Sequence, residues 1–293
     1  MRLTEEQVRA FENDGVLVAE NVVTPDDLAP VIAEYEAWID KRAHDLQAQG
    51  KITDLAEGAD FKHRFALLSA QSKEMASGMD VMHIRGQALF NFLRNDNLLD
   101  AVESLLKTSE ITCNPIQHIR AKGPERVTGG SGFYNVPWHQ DMAVTLEEAD
   151  DSNIITCWMA LVDATVENGC MEVLPGVFKQ GYLGHHSGEG GTTIRPDVLP
   201  DVAARPVPVK AGGVVFMHRC TPHRSTPNYT DGVRWSLDLR YQPSGTPTGR
   251  PVHPEFVARS RQHPEAVLTD HAEWSRRWVE ALSNSQNVRM HRI

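Results

Sequence analysis

In the stretch YNVPWHQDMAV, Tyr134 to Val144, a histidine and an aspartate stand two residues apart, at positions 139 and 141. On an extended backbone such residues project to one face, so His139 and Asp141 present an imidazole and a carboxylate side by side while Gln140 points away. That pair suits two ligands on one edge of a metal, a general acid/base couple, or two polar residues ending an ordinary strand. A serine-hydrolase triad is disfavoured, because the chain has no Gly-x-Ser-x-Gly elbow. Further along, FMHRCTPHRSTPNYTDGVRWSLDLRY offers His218 and His223 as a third ligand, with Ser225 and Arg234 beyond them. Two histidines and a carboxylate occupy one face of an octahedral iron and leave three positions open, the arrangement of non-haem iron(II) oxygenases. The same donors with an open position also suit zinc and hydrolysis.

The elements that must hold these residues change character along the chain. Thr4 followed by Gln7 is a capping-box pattern that opens a short helix ending near Asp14-Gly15, and VLVAENVV then reads as a strand. TPDDLAPVIAEYEAWIDKRAHDL is a long helix, with Thr24 as N-cap, Pro25 in the first position and apolar recurrence through Leu28, Val31, Ile32, Tyr35 and Trp38. The pattern weakens between 47 and 80 and returns as helix in ALFNFLRNDNLLDAVESLLK. From Ile111 the texture is β-type: ITCNPIQHIRAK, IITCWMALVDA, CMEVLPG, RPVPVKAGGVVFMH and RWSLDLRYQP, separated by Gly, Pro, Asn and Asp. A final helix carries Trp274, Trp278 and Leu282 at fourfold spacing. The expected fold is mainly β with flanking α-helices, a barrel or sandwich with the early helices on its outside, in a single domain over residues 1–293.

Composition narrows the function classes. The chain is 41% hydrophobic and 23% charged, with a formal net charge of -10 and scattered Lys and Arg, which argues against nucleic acid or membrane as its partner. The opening MRLTEEQVRAFENDG lacks the apolar stretch of a signal peptide. Cys113, Cys157, Cys170 and Cys220 lack CxxC spacing and read as reduced, buried thiols, so a cytoplasmic protein is expected, as monomer or homodimer.

The segments WHQD, CWMALVDATVENGCMEVLPG and PHRSTPN followed by Arg234 together resemble the phytanoyl-CoA dioxygenase family of Fe(II)- and 2-oxoglutarate-dependent oxygenases, over nearly the whole chain. The resemblance implies a double-stranded β-helix, or jelly-roll, cupin-like core. It implies His139, Asp141 and His223 as iron ligands, Arg234 and Ser225 as anchors for the distal carboxylate of 2-oxoglutarate, and Trp158 and His118 beside that cosubstrate. Arg120, on the face shared by His118 and Lys122, and Gln140 are candidates for contact with a small-molecule substrate. The chain departs from the family at Val177-Phe178, where Ser-His is usual, and at Arg224, where Gly is usual, and both changes bear on the substrate entrance. His185 and His186 read as exposed loop residues, and Asn168-Gly169 as a tight turn.

The implied reaction is oxidative decarboxylation of 2-oxoglutarate to succinate and CO2, with O2, coupled to hydroxylation of an unactivated C–H bond. Asp141 favours hydroxylation over halogenation, because related halogenases lack this carboxylate. Desaturation, cyclisation or epimerisation at the same site are alternatives, as are a zinc hydrolase and a non-catalytic binding barrel. The substrate pocket is expected from the helical first third and the 184–200 loop.

Overall fold

The computed structural model describes residues 1–129, 135–188, 190–285 and 288–293. The first helix, α1 (Glu5–Asp14), carries the expected reciprocal cap between Thr4 and Gln7 and stops at Gly15, whose φ is 70°. A Cβ at Gly15 would lie 2.3 Å from the Phe178 ring, so both backbone and space require glycine there. The strand β1 (Val16–Ala19) covers only the first half of VLVAENVV. In α2 (Pro25–Ala48) a second capping box joins Thr24 to Asp27, and one stripe from Leu28 to Leu46 is buried.

Two expectations for the helical third change. The weakly patterned segment contains α3 (Phe61–Gln71), capped by Asp60 and burying Phe65, Ala66 and Leu68. After α4 (Val81–Ile84), the run expected as one helix is two, α5 (Gln87–Phe92) and α6 (Asp96–Leu106). Asn95 separates them, because its side chain accepts from the Leu98 N–H and so starts a new helix.

The β region begins with β2 (Ile111–Cys113) and β3 (His118–Lys122). They interrupt a single sequence run at Asn114, whose side chain accepts from the Ile116 N–H and donates to Gln242. There follow α7 (Glu125–Thr128), β4 (Ile155–Ala160), β5 (Met171–Val173), a hairpin of β6 (His185–Gly188) and β7 (Gly191–Ile194), and β8 (Arg205–Val207). The chain then forms β9 (Val214–His218), β10 (His223–Ser225), β11 (Arg234–Pro243), β12 (Phe256–Arg259) and α8 (His271–Asn284). A large sheet runs β1-β9-β4-β11-β2-β12, with β3 beside β2 along the same edge of β11, and a small sheet runs β10-β5-β8. These pairings are antiparallel, and the two sheets face each other as a double-stranded β-helix.

Alternation along the strands decides what each face does. On β11 the residues Trp235, Leu237, Leu239 and Tyr241 join the apolar core beneath the helices, each worth about 1.5–3 kcal/mol when fully buried. Their neighbours Arg234, Ser236, Arg240 and Gln242 are equally buried but point between the sheets. On β4, Cys157 and Met159 pack toward the helices, whereas Trp158 and Ala160 join the inter-sheet core with Met171, Val173 and Met217. Buried polar side chains on that inner face survive only with partners, and those partners make the site.

Candidate metal and cosubstrate site

His139 and His223 form an isolated antiparallel bridge, each N–H donating to the other's carbonyl at 3.0 Å. This lays the two imidazoles together, with ring centroids 4.1 Å apart. Asp141 does not continue an extended strand but opens a 3-10 turn, Asp141–Val144. The turn still brings its carboxylate back to the rings: Asp141 Oδ1 is 3.9 Å from His139 Nε2 and 3.8 Å from His223 Nε2. One ligand atom from each residue can be chosen with all three within 4.8 Å of one another.

The tautomers fit a metal. His139 Nδ1 lies 2.9 Å from the Pro137 carbonyl and His223 Nδ1 lies 3.0 Å from the Thr221 carbonyl. A carbonyl only accepts, so both Nδ1 atoms carry a proton and Nε2 is the ring atom that each histidine turns to the centre. Burial, with His223 alongside, pushes the His139 imidazole down to about 3, which keeps it in the neutral, ligating form. Burial raises the Asp141 carboxyl, but Arg240 beside it, with the two histidines and the Thr156 hydroxyl, outweighs burial and holds it well below the usual carboxylate range. The donor set is two imidazole Nε2 atoms and one carboxylate, which matches iron(II).

Arg240 is a functional residue that motif reading passed over. Its Nη2 donates to Asp141 Oδ1 at 2.7 Å, while the Thr156 hydroxyl donates to Oδ2. Arg240 is itself buried, donates to the Ile116 carbonyl at 3.3 Å and lies 3.6 Å from Asp238. Its signal was its parity: it shares the inward face of β11 with Arg234, and a buried guanidinium calls for an anion, which for Arg240 the protein itself supplies in Asp141.

The two histidines of the triad line a cavity of about 250 Å³ whose walls also include Trp158, Ser225 and Arg234. Arg234 is 3% exposed, donates to the Gly169 carbonyl and to Ser236, and stacks over Trp158 with its guanidinium 4.8 Å from the ring centre. Among the described residues no acidic side chain forms an ion pair with it. Burial lowers this guanidinium to about 10, so it remains cationic at neutral pH, a buried cation in a cavity wall awaiting an anion. The cavity thus offers a buried guanidinium, that of Arg234, to an anionic ligand. The Asn168-Gly169 turn is architecture that also positions this guanidinium through the Gly169 carbonyl: Gly169 has φ 85°, and a Cβ there would lie 2.6 Å from the Thr226 carbonyl. Ser225 lines the same wall, its hydroxyl accepting from the Val136 N–H at 2.9 Å.

The other candidates separate. Arg120 lines the cavity, about half exposed, 3.7 Å from Asp238. His118 shares its face of β3 but bonds Asp80 at 2.8 Å and lies at the margin of the cavity rather than in its wall. Gln140 is not brought to the cavity: its amide donates to the Gly181 and Cys220 carbonyls and accepts from the Leu183 N–H, so every group it has is used inside the protein. His218 is also apart from the triad, accepting from the Cys220 N–H and packing on Phe178. His185 is buried rather than exposed, with Nδ1 on the Leu183 carbonyl and Nε2 accepting from the Gln140 N–H, whereas His186 is exposed. Of the two departures, Arg224 lines the cavity, paired to Glu172 at 2.7 Å and stacked on Trp138, while Phe178 packs against Gly15. The entrance is walled from the helical third by Phe65, Ala76, Met79 and Asp80, and no described residue of 184–200 reaches it.

The chain is similar to proteins already known. The chain is 27% identical over 247 residues to peroxisomal phytanoyl-CoA dioxygenase of Rattus norvegicus, covering 82% of this chain and 68% of that protein. A shorter match, 36% identical over 89 residues, joins 30% of this chain to 33% of the methylphosphonate hydroxylase of Gimesia maris. Among solved structures the non-haem monooxygenase ThoJ superposes with a TM-score of 0.65 at 22% identity, covering 96% of each chain. The 2-oxoglutarate-dependent epimerase SnoN from nogalamycin biosynthesis gives 0.55 at 21% identity, covering 84% of each. No described helix is long and apolar enough to cross a membrane. The model of the phytanoyl-CoA dioxygenase (PhyH) family matches residues 11–236, and the chain therefore belongs to that family of iron- and 2-oxoglutarate-dependent oxygenases.

Proposed function

We propose that this chain, as one domain over residues 1–293, hydroxylates an unactivated C–H bond of a small molecule, coupled to oxidative decarboxylation of 2-oxoglutarate to succinate and CO2. His139, Asp141 and His223 hold iron(II), which when bound supplies the activation of O2. Arg234 receives the distal carboxylate of 2-oxoglutarate, with Ser225 beside it and Trp158 as the flat wall that fixes the guanidinium. His118, held by Asp80, fixes the margin of that wall, and Arg120 meets the substrate at the entrance. Phe65, Met79 and Trp158 exclude water from the reacting atoms.

One observation carries this reading: the two histidines of a convergent His, Asp, His set share a cavity with a buried guanidinium that has no acidic partner among the described residues. A zinc hydrolase leaves that guanidinium without a purpose. The four cysteines are free and buried, which supports a reducing, cytoplasmic setting. Anaerobic iron(II) protein is expected to develop a visible charge-transfer band when 2-oxoglutarate is added and to form succinate once O2 is admitted. Absence of both would remove the oxygenase reading. Stimulation of succinate release by candidate small molecules, with product identification, then separates hydroxylation from desaturation, cyclisation and epimerisation.

A further inference from the structure

Lys122 is the last residue of β3 and stands directly opposite Arg234 in the pairing with β11. Like charges facing across two strands are unfavourable, and more so when both are withdrawn from water. Here both line the same cavity. Lys122 is 3% exposed, and its ammonium donates to Ser225 Oγ at 3.2 Å and to Asn135. Ser225 thus connects Lys122 to the wall that holds Arg234. Glu125 reaches this group through Asn135, whose amide donates to the Glu125 carboxylate at 3.3 Å. The result is one positive pole at the end of the cavity, built from two strands.

We propose that Lys122 is a second cation for the distal carboxylate of 2-oxoglutarate, acting with Arg234 and Ser225. The inference rests on the oxygenase reading above. A carboxylate has two oxygens and room for several donors, so a guanidinium and an ammonium can divide it. Binding then relieves the repulsion between the two cations instead of merely adding a contact. Burial, followed by the field of Arg234, pushes the Lys122 ammonium down to about 7 against the opposing pull of Glu125.

The test compares two 2-oxo acids that differ only at the distal end: 2-oxoglutarate, and 2-oxopentanoate, which lacks the second carboxylate. Dissociation constants come from the charge-transfer band of anaerobic iron(II) protein, for wild type, Lys122→Met and Lys122→Arg. Lys122→Met is expected to weaken 2-oxoglutarate about tenfold or more and to leave 2-oxopentanoate within about twofold, as loss of a charge-assisted bond to one carboxylate requires. Lys122→Arg is expected to recover most of the loss. Equal weakening of both acids would assign Lys122 a structural role and overturn the proposal, as would unchanged affinity for 2-oxoglutarate. Cobalt(II) titration of each variant guards against misfolding, because a collapsed site would lose metal as well. If wild type shows no band with either acid, it is the oxygenase reading that fails, not the role of Lys122 within it.

Discussion

Asp141→Ala is expected to lower metal affinity by at least about a hundredfold and to bring 2-oxoglutarate-dependent succinate formation to background. Loss of a partner that only orients a metal ligand costs about 10–100-fold, and loss of the ligand itself costs no less. The carboxylate supplies the charge of the donor set, since His139 is held neutral and both Nδ1 atoms are committed to carbonyls. Its deletion also strands Arg240, which is buried and loses its 2.7 Å partner, though Asp238 remains 3.6 Å away. Asp141→Asn separates the two consequences. The amide oxygen can still accept from Arg240, so this variant is expected to fold near normally while binding metal poorly. Metal content after dialysis, cobalt(II) absorption and thermal unfolding read these effects independently. An Asp141→Ala protein that kept stoichiometric iron and turned over 2-oxoglutarate would show that the triad is not the metal site.

How much of this was legible without coordinates depends on the range over which each signal acts. The capping box at Thr4, the N-cap at Thr24, the glycine stop at Gly15 and the alternation of β11 are local, and each appears where local chemistry puts it. The triad was readable because His139 and Asp141 are close in sequence, and because the distal histidine sits in a motif that also carries Ser225 and Arg234. The helix α3 was overlooked although Asp60, Phe61, Phe65 and Leu68 carry a cap and an apolar stripe, because polar residues dilute the period. The break between α5 and α6 was written in Asn95, a cap inside an otherwise helical run. His185 was a different matter. Glycines around it suggest an exposed loop, and only the folded chain brings the Gln140 N–H to its ring. Gln140 likewise gives no local sign that its partners lie at Gly181, Leu183 and Cys220. Arg240 lies between these cases. Its inward parity was visible, but knowing that both faces of β11 are buried requires the helices on one side and the small sheet on the other.

Arg240→Met is expected to destabilise the metal-free protein by about 3–5 kcal/mol, the cost of removing one partner from a buried ion pair. Methionine fills much of the volume but offers Asp141 no donor, and the Thr156 hydroxyl is left to hold a buried carboxylate without a cation. Asp238, 3.6 Å from the same guanidinium, loses a neighbour too and keeps Arg120 at 3.7 Å. Iron(II) or cobalt(II) would bring positive charge to the same carboxylate, so metal is expected to recover a substantial part of the lost stability in Arg240→Met. The gain follows mass action, about 2.7 kcal/mol at a free metal concentration one hundred times the dissociation constant. Asp141→Ala cannot recover in this way, since it has lost the group through which metal and fold are coupled. Thermal unfolding of wild type, Asp141→Ala and Arg240→Met, each with and without metal, therefore distinguishes a ligand from the residue that holds it. If metal stabilised Arg240→Met no more than Asp141→Ala, the contact between Arg240 and Asp141 would be a packing feature with no bearing on the metal. If it does, the inward face of β11 holds the metal ligand through Arg240, on the same face as the buried Arg234 proposed above to receive the cosubstrate.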